Sequence, residues 1–187
     1  PVFHGLAGAG LAYAWAGDRC LPLFASLKKA WKLLTVGAVL ACLPDVDYLP
    51  GLARGYLNTT HQQFTHSLAW AGLVSAGLWA VGRAFAPERF GGRMAVFLLI
   101  LIGSHLAIDL VTVDRLAPYG LPLWAPFSST PVRGPWAWLP AWDKTALADV
   151  GSLRNLRALG VELGAGVLCV AACVAAKRGW TRRGGPL

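Results

Sequence analysis

Apolar residues in this chain run in long unbroken stretches, not in the stripe that a soluble amphipathic helix shows every 3.6 residues. Five such stretches can be drawn, at residues 2–16, 31–48, 66–86, 94–113 and 159–176. Several approach the roughly 20 residues of helix needed to cross a hydrocarbon core about 30 Å thick. The pattern predicts an all-α integral membrane bundle of about five transmembrane segments, forming a single domain over residues 1–187. The first stretch is the shortest and carries Gly5, Gly8 and Gly10, small residues that let helix backbones approach closely. Residues 114–155 break the pattern, holding six of the twelve prolines and four of the nine tryptophans. Proline at that density forbids a continuous helix, and tryptophan prefers the headgroup level. The simplest reading is an interfacial loop resting on the bilayer; the alternative is a functional lid.

Composition supports the membrane reading. The chain is 56% hydrophobic and only 14% charged, where soluble domains run near a quarter charged. That excludes a disordered chain, a disulfide scaffold and an ordinary soluble enzyme. Cys42, Cys169 and Cys173 lie in apolar runs and Cys20 stands alone, so no CxxC zinc spacing exists and the thiols read as small apolar fillers. No basic n-region precedes the first stretch, which predicts a retained segment and not a cleaved leader.

The net charge of +8 would suit nucleic acid, but the basic residues follow the span ends and form no single patch. If five spans alternate, Arg19, Lys28, Lys29, Lys32, Arg83, Arg89, Arg93, Lys177, Arg178, Arg182 and Arg183 share one side. Arg54, Arg115, Arg133, Lys144, Arg154 and Arg157 share the other. The positive-inside bias then puts the N-terminus outside and the C-terminus in the cytoplasm.

All four histidines, His4, His61, His66 and His105, fall toward the outer end of their segments under that topology, as do Asp45 and Asp47. Asp109 follows His105 by one helical turn, so the pair shares a helix face. At 1.5 Å per residue they stand about 16 and 22 Å along the helix from Met94, within the outer half of the membrane. Ionisable groups at such depth cost roughly 2.5–3.5 kcal/mol each, so they need partners. Taken singly, a membrane histidine is more often a packing hydrogen bonder, and Asp-x-Asp after a span serves equally as a cap. Together, imidazoles and carboxylates suit zinc, manganese or iron, and seven such groups exceed one tetrahedral zinc, leaving room for two ions.

The ordered set His4, Leu43-Pro44-Asp45-Val46-Asp47-Tyr48, His61-Gln62-Gln63-Phe64-Thr65-His66-Ser67, Ser104-His105-Leu106-Ala107-Ile108-Asp109-Leu110 and Gly120-Leu121-Pro122-Leu123-Trp124-Ala125-Pro126-Phe127-Ser128 resembles the bacterial membrane-bound metal-dependent hydrolase family over roughly residues 1–130. The resemblance implies an inner-membrane helical protein with a metal-dependent hydrolytic site built from these His and Asp positions. The family's H-R-x-x-T-H-S element has arginine where this chain has Gln62, so a phosphate clamp there would fall to Arg54 or Arg115. The His-x-x-x-Asp pair is also similar to zinc phospholipases C and related nucleases, which points toward phosphoesters.

The expectation is therefore a hydrolase acting on a phosphoester of a lipid or lipid-linked substrate at the outer leaflet. His4, Asp45, His61, His66, His105 and Asp109 would hold one or two divalent ions, zinc favoured, with manganese or iron as alternatives. Asp47 would orient the attacking water or accept its proton, unless it too is a ligand. Thr65 and Ser67 would fix His66 from behind, and Glu162 is either an extra acid/base or an interfacial residue. There is no G-x-S-x-G, H-E-x-x-H or P-loop. The rival from another class is a transporter or ion-binding membrane protein that uses the same His/Asp cluster.

Overall fold

The computed structural model describes residues 2–15, 23–55, 61–114, 119–144 and 146–182; Arg19, Cys20, Arg115, Pro118 and Arg183 lie outside them. Six α-helices follow in order: α1 Val2–Trp15, α2 Leu23–Ala41, α3 Tyr48–Leu52, α4 Leu68–Phe85, α5 Gly92–Leu110 and α6 Leu153–Arg182. Short 3-10 turns at Leu43–Asp47, Phe64–His66 and Leu147–Gly151 join them, and no strand forms among the described residues.

Among the described residues, three helical stretches are long and apolar enough to cross a membrane: Leu68–Phe85, Gly92–Leu110 and Leu153–Gly179. A fourth crossing is available only if Ala30–Ala41 and Leu43–Leu52, bent by 56°, act as one broken span. Against about five expected, three or four candidate spans stand among the described residues. Two physical reasons account for the difference. Pro44 ends the helical ladder of the second stretch, and α1, with 14 residues, is about 21 Å long and falls short of the hydrocarbon core. Many large apolar side chains on the spans face outward, among them Leu73, Val81, Val96, Leu99, Val167 and Leu168. That inside-out polarity is costly in water and stable in lipid.

The short helix α1 is the hub of the bundle. It lies antiparallel to α2, with Gly8 and Gly37 in backbone contact: a Cβ on Gly8 would stand 2.4 Å from the Gly37 carbonyl oxygen. It lies parallel to α6, where Gly10 meets Val170 and the Tyr13 carbonyl accepts from Lys177 Nζ at 2.9 Å. Against α5 it runs antiparallel, Trp15 stacking on Phe97 at one end and His4 meeting His105 at the other. The start of α1, the end of α2, the start of α4, the end of α5 and the start of α6 therefore share one end of the bundle. Lys28, Lys32, Arg83, Arg89, Arg93, Lys177 and Arg178 belong to the opposite end.

The proline- and tryptophan-rich segment does more than rest on a surface. After α5 it doubles back across the end of the bundle, pairing Val113 with Leu139 and Leu121 with Val132 through backbone bonds of 2.8–2.9 Å. Leu121 and Leu123 pack on Ala71, Ile102 and Leu106, while Leu139 packs on Phe3 and Ile108. Gly134 passes so close to α5 that a Cβ there would lie 1.7 Å from the Leu110 carbonyl oxygen. The outer face of the same segment keeps Trp124, Phe127, Trp136 and Trp138 exposed. Proline denies this segment a helix, but alternating apolar residues still let it roof the site.

Candidate metal centre

Four separate pieces of chain bring the acidic and imidazole groups together under that roof. His4 comes from the first turn of α1, Asp45 and Asp47 from the 3-10 turn after α2, His61 and His66 from the approach to α4, and His105 with Asp109 from α5. Two groups with metal-compatible spacing result, one of Asp45, Asp47, His61 and His66 and one of His4, His105 and Asp109. All seven residues singled out from the sequence are thus assembled in one place.

Hydrogen-bond donors and acceptors decide which atoms face the centre. Thr65 has one hydroxyl proton and donates it to Asp47 Oδ2 at 2.7 Å. His66 Nδ1, 3.0 Å from Thr65 Oγ1 and 3.2 Å from Asp47 Oδ2, must then be the protonated nitrogen. His105 Nδ1 lies 2.7 Å from the Ala41 carbonyl oxygen, which can only accept, so it too carries a proton. As neutral imidazoles both present Nε2 lone pairs, and both Nε2 atoms are buried without a hydrogen-bond partner, as is Asp109 Oδ2. Carboxylate or carbonyl behind the imidazole, lone pair in front, is the arrangement that metal-binding histidines adopt.

Those unpartnered atoms converge. His66 Nε2 and His105 Nε2 lie 3.5 and 3.3 Å from Asp109 Oδ2, and 3.9 and 3.6 Å from Asp45 Oδ1. Charge-assisted hydrogen bonds to carboxylate run about 2.7–2.9 Å, so these separations are too long for direct hydrogen bonds. They approximate the edge of a tetrahedron with bonds of about 2.0–2.1 Å, whose edge is about 3.3 Å. The donor set His66, His105, Asp45 and Asp109 fits one divalent ion. It is drawn from both spaced groups, and both imidazoles are fully buried.

The other three residues stand around it. His4 Nε2 meets Asp109 Oδ1 at 3.1 Å, holding the carboxylate whose other oxygen faces the centre, and its ring packs on that of His105 at 4.0 Å. His61 Nδ1 meets Asp47 Oδ1 at 3.0 Å. Asp47 receives His61 on one oxygen and Thr65, His66 and the Gln63 amide on the other. Both Asp47 oxygens are thus engaged by neighbouring donors, two of them imidazoles. Burial pushes His61 down to about 4, so it is a neutral imidazole at neutral pH.

Several smaller expectations change. Thr65 does stand behind His66, but Ser67 does not. Its hydroxyl donates to the Phe64 carbonyl and accepts from the Trp70 amide at 3.1 Å, which makes it the N-cap of α4. Glu162 is buried in the bundle; its oxygens accept from the Phe3 amide at the start of α1 and from the Trp142 indole of the roof. Arg54 is exposed and does not line the cleft, and Arg115 lies outside the described residues. Among the described residues, the cation lining the cavity with His4, Asp45, His61 and Asp109 is Lys144, a loop lysine with no local signature in the sequence.

An all-helical bundle with apolar outer faces, three or four candidate spans and a buried His/Asp centre at one end defines an integral membrane protein with a metal-competent site. Residues 1–180 match the family model described as YdjM inner membrane protein, and the chain belongs to that family of inner-membrane proteins. No curated protein and no solved structure matches it.

Proposed function

We propose that this inner-membrane protein is a metal-dependent hydrolase acting on a phosphoester of a lipid or lipid-linked substrate, with its site toward the outer leaflet. The observation that carries the reading is the convergence of two buried imidazole lone pairs and two carboxylate oxygens at 3.3–3.9 Å, each imidazole fixed from behind. Two lone pairs facing two carboxylates repel one another unless a cation or a proton lies between them, and a divalent ion satisfies all four atoms at once. A divalent ion there would act as Lewis acid and bring a water toward ionisation near neutral pH.

The residues divide the work as follows. His66, His105, Asp45 and Asp109 would hold the ion, zinc being favoured by the mixed imidazole and carboxylate donors, and a water would join them as a further ligand from the cavity side. His4 holds Asp109, while Asp47 and Thr65 hold His66. A cavity beside the centre is lined by His4, Asp45, His61, Gln62, Asp109 and Lys144, which leaves a side open to substrate. Hydrolysis forms a phosphorus–oxygen bond to water as the ester bond breaks, and the alcohol leaves with a proton. His61, its Nδ1 fixed by Asp47, borders this cavity where a proton would be taken up. Exposed Trp124, Phe127, Trp136 and Trp138 on the roof suit a headgroup layer, from which a lipid substrate would enter. The outward orientation is supported by the basic residues at the opposite end of the bundle.

The test is metal content of the detergent-purified chain together with hydrolysis of a panel of lipid phosphoesters. Zinc should be retained and one class of ester turned over, and Asp109→Asn and His66→Ala should lose both. Bound metal and full activity in both variants would refute the site. Metal retained with no ester cleaved, and ion accumulated by proteoliposomes, would favour transport.

A further inference from the structure

Lys144 is the only described cation lining the cavity that also touches His4, Asp45, His61 and Asp109, a space of about 50 Å³. Its ammonium donates to the Tyr48 hydroxyl and lies 5.1 Å from the centre of that ring. Tyr48 in turn stacks on His61 with ring centroids 3.8 Å apart. The charge is therefore held at a fixed distance from the donor cluster by a rigid aromatic bracket, unlike a solvated surface lysine. Among the described residues no carboxylate lies within ion-pair distance of it, whereas nearby Arg154 is paired with Asp143 at 2.9–3.0 Å.

An ammonium carries three donors, and Tyr48 takes one. The other two are available to oxygen atoms entering the cavity. Gln62, at φ 59, lines the same space as a neutral amide, so the positive charge on this wall comes from Lys144, 82 positions later in the chain. A neutral carboxylic ester has no formal charge for such a group to meet; a phosphomonoester or phosphodiester has one or two.

We propose that Lys144, bracketed by Tyr48, binds an anionic phosphoryl oxygen beside the His/Asp centre and thereby selects phosphoesters over neutral esters. The proposal rests on the metal-dependent reading above. A substrate in this cavity would thus meet the centre built by His66, His105, Asp45 and Asp109 on one side and the Lys144 ammonium on another. Fixed charge of this kind contributes most in the transition state, where oxygen charge grows.

The probe is inorganic phosphate, titrated against the full chain in detergent after loading with zinc, with zinc content measured on every sample. Lys144→Gln should weaken phosphate binding at least tenfold with zinc content unchanged, and Lys144→Arg should remain within about threefold of the parent. Tyr48→Phe, which keeps the ring and removes the hydroxyl, should fall between them and serves if the glutamine variant does not fold. Arg89→Gln, at the opposite end of the bundle, should match the parent. Equal phosphate affinity in the parent, Lys144→Gln and Tyr48→Phe, with zinc bound, overturns this proposal alone, as does a zinc-loaded parent that binds no phosphate. A parent that takes up no zinc overturns the metal reading and this proposal with it.

Discussion

Replacing Thr65 with valine removes one hydroxyl and keeps the volume, and its effect on metal affinity follows from the bonds around it. The hydroxyl donates to Asp47 Oδ2 at 2.7 Å and accepts from His66 Nδ1 at 3.0 Å, so it fixes both the imidazole and the carboxylate behind it. Groups in this position are generally worth 10–100-fold in metal affinity, or about 1.4–2.7 kcal/mol. Here His66 Nδ1 keeps a second acceptor, Asp47 Oδ2 at 3.2 Å, so the tautomer survives and only the orientation loosens. The expected loss is therefore near the lower bound, about tenfold. Zinc affinity of the detergent-purified chain, measured by competition with a chromophoric chelator, reads this directly. Thr65→Ser should recover most of the loss, because it restores the hydroxyl. Zinc affinity within twofold of the parent for Thr65→Val would refute the assignment of His66 Nε2 as a metal donor.

Ser67→Ala should lower stability by about 1 kcal/mol, the usual worth of an N-cap, and leave zinc affinity unchanged; a drop in affinity would return Ser67 to the metal centre. Gly8→Val should cost about 1–3 kcal/mol by overpacking, since a Cβ at Gly8 already meets the Gly37 oxygen at 2.4 Å and the Ala41 Cβ at 2.5 Å. Because the Ala41 carbonyl holds His105, that variant should lose metal as well as melting temperature, and unchanged zinc affinity would uncouple the α1–α2 contact from the site. Single cysteines placed at Lys28 and at Thr130, in a background lacking the native thiols, should label from opposite sides of sealed vesicles. Labelling of both from one side would reject the orientation.

Which parts were legible in the sequence depends on whether the signal is local. Helix positions and the His/Asp inventory were legible, because a run of apolar residues and a rare buried polar residue both stand out in a chain with so few charges. The number of crossings was less so. Val2–Trp15 is as apolar as a span, and only its 14-residue length and its central place among α2, α5 and α6 show that it serves as an internal strut. Asp45 and Asp47 look alike in sequence, yet Asp45 approaches the Nε2 atoms of His66 and His105 while Asp47 engages the Nδ1 atoms of His61 and His66. Ser67 adjoins His66 in sequence but turns to the helix start, and Lys144 reaches the cavity only because the roof folds back. No periodicity encodes either fact.

The sequence by itself determined an apolar helical membrane protein, the end of the bundle that gathers ionisable groups, and the residue types able to bind metal, because hydropathy, charge asymmetry and ligand chemistry are properties of individual residues. Tertiary structure alone decided which atoms converge. Both Nε2 lone pairs turn inward because Thr65, Asp47 and the Ala41 carbonyl occupy the Nδ1 positions, and Asp109 divides its two oxygens between His4 and the centre. Those orientations depend on contacts between residues up to 105 positions apart, and they are fixed only when α1, α2 and α5 pack closely enough for small residues to touch.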